Sequence, residues 1–237
     1  MLKSLILGLS IFGGLFGGGS DGGACRESAA QAARTLKTVE RQWPLRAQVD
    51  PVSRYVAALG QRVARAGGDS GESLAFHVLR NLEPTAFALG GGQFVVSDGL
   101  IAMVDREDEL AAVLAHELSH QHLGHFCRER GDAATRRIRL GGVVQHFDLD
   151  REIAADAAAV ELLKRAGFDP AAMDAVLRCL ARRPGAAVAD LGARREALAR
   201  FAASTTAEQP EGPANGDFEP IRKHVIEELG GAVKPCH

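Results

Sequence analysis

The chain has 237 residues, a formal net charge of −2 and 46% hydrophobic residues. This is the composition of an ordinary globular protein, and the length is enough for one domain with a hydrophobic core. Aromatic residues make up only 5% of the chain, and no segment is strongly basic. We therefore expect no nucleic-acid partner, because a groove that binds nucleic acid needs positive charge and aromatic side chains that stack on bases.

The first 24 residues predict a signal peptide or an N-terminal anchor. A lysine precedes an apolar stretch at residues 5–16 that is short for a membrane span, and a glycine-rich segment follows. Cleavage would follow Ala24 or Ala30, and Cys25 is also placed for lipid attachment. We expect an exported, periplasmic protein that is either soluble or associated with a membrane through its N-terminus.

The next elements are predicted to be scaffold. A helical pattern over about residues 27–46 is closed by Pro44, and a second helix begins at Asp50-Pro51 and ends at Ala66. Three β-rich segments then predict a small sheet, followed by a short helix. The β-rich segments are 74–79, 86–89 and 94–97, and the short helix is predicted at 98–104.

The strongest functional signal is a pair of histidines on the following helix. We predict that Asp105 caps this helix and that it ends before Gly124. At about 100° per residue, His116 and His120 lie one turn apart on one face, with Glu117 beside them. Two such imidazoles can bind a tetrahedral zinc ion, and the carboxylate can take a proton from water. The pattern also occurs by chance on amphipathic helices, so the hypothesis requires a third ligand.

A helix predicted over residues 148–167 supplies that ligand. Glu152 and Asp156 lie four residues apart and project from one face. We assign Glu152 to zinc and expect Asp156 to accept the free ring N–H of a ligand histidine, preferably that of His116. The alternative is a solvated acidic face with no role in binding.

These motifs together resemble one family of peptidases. His-Glu-Leu-Ser-His at 116–120, Glu152-x-x-Ala-Asp156 and the trailing Ala166-Gly-Phe-Asp-Pro170 are similar to gluzincin metallopeptidases of the HtpX-like kind, peptidase family M48. That group includes prenyl-protein proteases and periplasmic quality-control proteases, and the resemblance covers about residues 50–200. It implies an α+β, mostly helical fold, in which a small three-stranded sheet places an edge strand beside a zinc site carried on two packed helices. It also implies one zinc ion per chain.

The resemblance further implies where a polypeptide substrate binds. The segment from Thr85 to Leu89 and the three glycines after it are similar to the family's edge strand. We expect Thr85, Ala86 and Phe87 to lie at an exposed edge, where an extended chain adds as a strand with little sequence preference. Phe87 can also simply fill the core, and the two roles are compatible.

One part of the family pattern is missing. Relatives usually carry a His-Pro pair six residues before an arginine, and that histidine is thought to help hold the site or the oxyanion. If Arg194 matches this arginine, Val188 and Ala189 stand in place of the pair. Arg194, Arg195 and His224 are the candidate substitutes, and the sequence does not choose among them.

Two further histidines, His122 and His125, follow the zinc motif. On a continuing helix, His125 falls about 180° from His116 around the axis, so it cannot share the ion. We predict a structural role for His125. The connector at residues 131–147 is short, which implies a comparatively open site.

The rest of the chain is predicted to be helical and to contain cysteines that pair. Helices are expected at 169–183, 193–202 and 218–229, with a linker at 205–216. In an oxidising compartment Cys25, Cys127, Cys179 and Cys236 would form disulfides, although the sequence does not give the pairing. A bridge from Cys127 to Cys179 or Cys236 would brace the site, and free thiols are the alternative.

We therefore predict a single metallopeptidase domain over residues 25–237, with a core at about 50–202 and a C-terminal linker and helix at 203–237. It is expected to be a zinc-dependent endopeptidase that hydrolyses extended or misfolded exported proteins, with Glu117 as the general base. The alternative is a zinc-containing peptide-binding or chaperone-like module with little turnover. The missing His-Pro pair favours that alternative, whereas Glu117 opposes it, because binding alone needs no base there.

Overall fold

Helices form most of the described chain. The structure is a computed structural model that describes residues 26–70, 74–126, 147–183, 188–204 and 217–236. The helices are α1 (Arg26–Gln42), α2 (Pro51–Ala66), α3 (Asp98–Met103), α4 (Glu107–His122), α5 (Leu149–Ala166), α6 (Ala172–Ala181), α7 (Val188–Ser204) and α8 (Phe218–Glu228). The strands are β1 (Ala75–Leu79), β2 (Ala86–Gly90) and β3 (Gln93–Ser97). This mostly helical α+β architecture with a three-stranded sheet confirms the predicted fold class.

Some helix ends differ from the predicted ones. α1 ends at Gln42 and α7 begins at Val188, each a few residues before the predicted boundary. The N-cap of α4 is Arg106 and makes no side-chain cap hydrogen bond, so the prediction of Asp105 as the cap was wrong. The Asp105 carboxylate instead pairs with Arg222 of α8 at 2.7 Å, and this distant partner could not be seen in the local sequence.

The sheet places β2 at an edge. The strand order is β1-β3-β2, with β1 parallel and β2 antiparallel to the central strand. On one face, Phe87 and Val95 pack against Ala32 and Val39 of α1. Phe87 is 4% exposed, so its side chain belongs to the core. The free edge of β2 runs beside α4, which brings it next to the predicted metal helix.

The central helix of the fold is α4, and it packs against α5. Both helices carry alanines with no exposed surface, among them Ala111 and Ala115 of α4 and Ala155 and Ala159 of α5. Because alanine has a short side chain, the two backbones can approach closely. This packing is what two helices that carry halves of one site require.

A disulfide between Cys179 of α6 and Cys236 ties the C-terminal end of the described chain to the core. The backbone N–H of Cys236 also donates to the carbonyl of Met103 at 3.0 Å. The proposed bridge from Cys127 to either of these cysteines was therefore wrong, because they pair with each other.

Several predictions fall on segments outside the described residues. They are the signal peptide or anchor at 1–24, Cys25, Cys127, the connector up to residue 146 and the linker at 205–216. Of the helices within the described ranges, none combines the length and apolar character that crossing a membrane requires.

Candidate metal centre

Two histidine side chains of α4 meet at one point. Nε2 of His116 lies 3.0 Å from Nε2 of His120, one helical turn further along. The two residues are only 8% and 1% exposed, because α4 is surrounded by the rest of the fold. The spacing therefore gives two buried rings on one face, as helical geometry requires.

A carboxylate from α5 reaches the same point. Oε2 of Glu152 lies 3.3 Å from Nε2 of His116, and its Oε1 lies 3.6 Å from Nε2 of His120. One candidate ligand atom from each of the three residues lies within 4.8 Å of the other two. Two imidazoles and a carboxylate are a donor set found in catalytic zinc sites, which keep a fourth position open for water. The residues present therefore fit a zinc ion.

Asp156 lies behind the first histidine, one turn after Glu152. Its Oδ1 is 2.8 Å from Nδ1 of His116, and the residue is 1% exposed. Nδ1 of His116 makes no hydrogen bond of standard geometry, so its contact with Asp156 is an ion pair when the ring is protonated. Of the two histidines, Asp156 is thus the neighbour of His116.

Arg194 of α7 is the residue that the sequence left as one of three candidates. Its Nε and Nη2 each donate to an oxygen of Asp156 at 2.7 Å, which forms a bidentate pair. Its Nη1 lies 2.8 Å from Oε2 of Glu152. A single guanidinium therefore holds both Asp156 and Glu152.

The other two candidates lie elsewhere. Nε of Arg195 donates to Asp174 at 2.7 Å, on the side of α7 that faces α6. His224 is half exposed on α8, beside Glu228. Only Arg194 of the three reaches the carboxylates of the site.

Glu117 also faces the cleft, and it contacts the edge strand. Its Oε2 accepts a hydrogen bond from the backbone N–H of Ala88 at 2.9 Å. Burial raises the pKa of Glu117 above its ordinary value, although the nearby His116 opposes this shift. A carboxylate with a raised pKa is better matched to accepting a proton near neutral pH.

The electrostatics of the site favour a cation. Burial by itself would lower the pKa of His116, but Asp156 and Glu152 outweigh it and raise the pKa to about 10. Burial and the neighbouring His116 lower the pKa of His120. Burial would raise the pKa of Asp156, but Arg194 and His116 outweigh it and lower that pKa. A metal ion can replace the proton that the carboxylates hold on His116.

The two remaining histidines of this region lie outside the group of three candidate ligands. Nδ1 of His125 is 2.8 Å from Nδ1 of His120, on the side of that ring away from His116. Nε2 of His122 lies 2.7 Å from Oδ2 of Asp69, after the end of α2.

A cleft of about 230 Å³ opens in front of these residues. The predicted substrate-contacting residues Thr85, Ala86 and Phe87 line one side of it, and their role in binding stays a prediction. An apolar wall of the cleft comes mainly from α6. Its residues are Leu100, Val113, Met173, Val176, Leu177 and Leu180.

Sequence reasoning missed Phe147 and the apolar wall. The Phe147 ring stacks on His120, with 4.0 Å between ring centroids and 19° between planes. No spacing pattern marks this residue, and the only signal was its place just before the helix that carries Glu152. The apolar residues of α6 look in the sequence like any amphipathic helix facing a core.

Comparison with known proteins agrees with the motifs. Residues 52–138 match the model of a family described as peptidase family M48. The matched range contains His116, Glu117 and His120, whereas Glu152 lies beyond it.

Three relatives illustrate the similarity. The chain is 32% identical over 139 residues to the mitochondrial metalloendopeptidase OMA1 of Schizosaccharomyces pombe. The matched segment covers 51% of this chain and 41% of that protein. It is 29% identical over 163 residues to the beta-barrel assembly-enhancing protease of Yersinia pestis, with 56% and 33% covered. To the Escherichia coli (strain K12) protein of the same description, the chain is 29% identical over 161 residues. That match covers 55% of this chain and 33% of the relative. The chain thus matches less than half the length of each of these relatives.

Proposed function

We propose that this chain, whose residues 52–138 match the model of peptidase family M48, is a zinc-dependent endopeptidase. The observation that carries the proposal is the approach of three donor atoms from two helices to within 4.8 Å, with Glu117 beside them in an open cleft. His116, His120 and Glu152 would hold the ion. The HtpX-like subgroup stays a prediction, because the matched family description does not distinguish it.

The proposed chemistry is hydrolysis of a peptide bond by water. Zinc, when bound, supplies the Lewis acidity that activates water and polarises a carbonyl group. Glu117 takes a proton from the attacking water as the new C–O bond forms. It then returns this proton to the amide nitrogen as the C–N bond breaks, so that a carboxylic acid and an amine leave the site.

Asp156 and Arg194 would keep the ligands in place. Asp156 faces the outer nitrogen of His116 and so favours the tautomer that presents Nε2 to the metal. Arg194 of α7 holds Asp156 and Glu152 together at the edge of the cleft. Neither side chain needs to touch the substrate for this role.

The test is metal content together with chelator-sensitive cleavage. We expect the purified protein to contain one zinc ion per chain and to cleave an unfolded protein such as casein. A chelator should stop cleavage, and added zinc should restore it, because the proposed chemistry depends on the ion. Zinc-free protein that cleaves casein at the full rate would contradict the proposal.

The proposed substrates are polypeptides in extended form. The N–H of Ala88 points to Glu117, away from β3, so the polar backbone groups of alternate residues on β2 face the cleft. Ala86, two residues earlier, shares that free edge. A substrate strand paired there would be held mainly through its backbone, which suits chains of many sequences.

The apolar wall of α6 should set a preference for the side chain that enters it. We expect peptides with leucine beside the cleaved bond to be hydrolysed with a kcat/KM about 10-fold or more above that of matched peptides with aspartate, because Met173, Val176 and Leu177 offer the charged group no partner. A set of fluorogenic peptides that differ at single positions measures this. Equal rates for both at every position would rule out the preference.

Such a preference fits misfolded proteins as substrates, since unfolded chains expose the apolar residues that folded proteins bury. The predicted signal peptide or anchor at residues 1–24 supports an exported, periplasmic location, either soluble or attached to a membrane. Fractionation of cells that produce the full chain would test the location.

A zinc-containing binding module with little turnover is the second candidate. It is favoured by the missing His-Pro pair and by Arg194, whose three donor groups already face the carboxylates of Asp156 and Glu152. These contacts favour a role for Arg194 in holding the two carboxylates over one in binding an oxyanion. Protein that contains zinc and binds casein without cleaving it would support this candidate over the peptidase.

A further inference from the structure

Each candidate ligand histidine needs a partner for its outer ring nitrogen. Asp156 faces the outer nitrogen of His116, whereas the outer nitrogen of His120 lies 2.8 Å from Nδ1 of His125. We infer that His125 is a positioning residue, which accepts the Nδ1–H of His120 and thereby directs Nε2 of His120 to the metal. This inference rests on the proposed zinc site.

The end of α4 places His125 there. The helix ends at His122, and Gly124 follows with φ +68°, a left-handed conformation that glycine adopts readily. The N–H of Gly124 donates to the carbonyl of Gln121, and the N–H of His125 donates to that of His120, both at 3.0 Å. This pair of bonds is the Schellman motif, which folds the chain back over the last turn. His125 therefore returns to the ring of His120 instead of continuing around the helix.

The surroundings of His120 leave it little freedom. Phe147 stacks on one face of its ring, and the ring of His125 meets it at 65° with a centroid distance of 4.9 Å. His120 is 1% exposed, so water has little access to its outer N–H. Because a buried N–H without an acceptor is costly, the acceptor on His125 stabilises this arrangement.

The protonation of the two rings follows from their contacts. A neutral imidazole carries one N–H and one acceptor nitrogen. When Nε2 of His120 binds a metal, its Nδ1 carries the hydrogen, and the acceptor must be the unprotonated Nδ1 of His125. The hydrogen of His125 then lies on Nε2. Partners of this kind raise the basicity of a ligand histidine, and their loss typically weakens metal binding about 10–100-fold.

Two amide substitutions of His125 test whether a hydrogen-bond acceptor is needed at the place of its Nδ1 or whether any polar side chain suffices. In His125→Asn the amide lies near the place of Nδ1 and can still accept, whereas in His125→Gln it lies near the place of Nε2. Competition with a chromogenic chelator would measure the zinc affinity of each. We expect His125→Gln to bind zinc about 10–100-fold more weakly than the parent and His125→Asn to stay within a few-fold of it. His122→Asn is the matched control, since His122 leaves the same helix end towards Asp69, and it should bind zinc as the parent does.

A second measurement needs no variant. Histidine ¹⁵N NMR of the zinc-loaded parent should find His120 protonated at Nδ1 and His125 protonated at Nε2. A hydrogen on Nδ1 of His125, or equal zinc affinity for the Asn and Gln variants, overturns the inference. A parent protein that binds no zinc instead contradicts the proposed function, so the two failures are distinguishable.

Discussion

Glu117→Gln is expected to slow peptide-bond cleavage by about 10²–10⁴-fold while one zinc ion per chain stays bound. The amide has the shape of the carboxylate, and its oxygen can still accept from the N–H of Ala88, so the edge strand keeps its contact. It cannot take a proton from water, however. Casein cleavage and metal content, measured on the same preparations, test both halves of this prediction.

The chain offers a matched control for the structural contact that Glu117 makes with the edge strand. Gln121 lies one turn further along α4, and its Oε1 accepts from the N–H of Gly92 at 2.8 Å. Gln121→Ala therefore removes an equivalent link between α4 and the β2–β3 turn without touching the proposed base. We expect this variant to keep most of its cleavage. If Glu117→Gln cleaves casein as fast as Gln121→Ala does, Glu117 anchors the strand and is not the base.

The halves of the proposed metal site could be predicted because each is local. His116 and His120 lie four residues apart, as do Glu152 and Asp156, and helical geometry turns that spacing into a shared face. What the spacing alone could not give is the meeting of the two helices. The assignment of Glu152 rested on the need of a catalytic zinc for a third ligand, and the structure brings Glu152 to both rings.

The contacts that were missed depend on tertiary structure or on a helix end. Arg194 and Arg195 are adjacent in the sequence, and only the packing of α7 on α5 decides that the first one reaches Asp156. His125 was placed by extending α4 past Gly124, where the helix has already ended. Asp105 is a good N-cap by type, but Arg222, far along the chain, binds its carboxylate.

Arg194→Leu is expected to destabilise the metal-free protein by about 3 kcal/mol at neutral pH. The substitution leaves Asp156, which is 1% exposed, and Glu152 without their guanidinium, and breaking a buried ion pair typically costs about 3–5 kcal/mol. The lower end applies because His116, protonated when no metal is bound, still faces both carboxylates. Urea unfolding of the metal-free variant and parent measures the difference.

Substitution of the adjacent arginine provides the control, and the pH dependence of the stability difference provides a second test. Arg195→Leu removes an ion pair with Asp174 whose side chains are 39% and 32% exposed, so it should cost about 0–1 kcal/mol. Arg194 helps to hold the pKa of Asp156 below its ordinary value, so the stability from this contact is present above about pH 4 and is lost as the pH falls through the lowered pKa. The difference in free energy of unfolding between the parent and Arg194→Leu should therefore be largest at pH 7 and become smaller in acid. An Arg194→Leu protein as stable as Arg195→Leu at pH 7 would mean that Asp156 and Glu152 do not need this guanidinium. The account of how Glu152 is held beside the histidines would then fail as well.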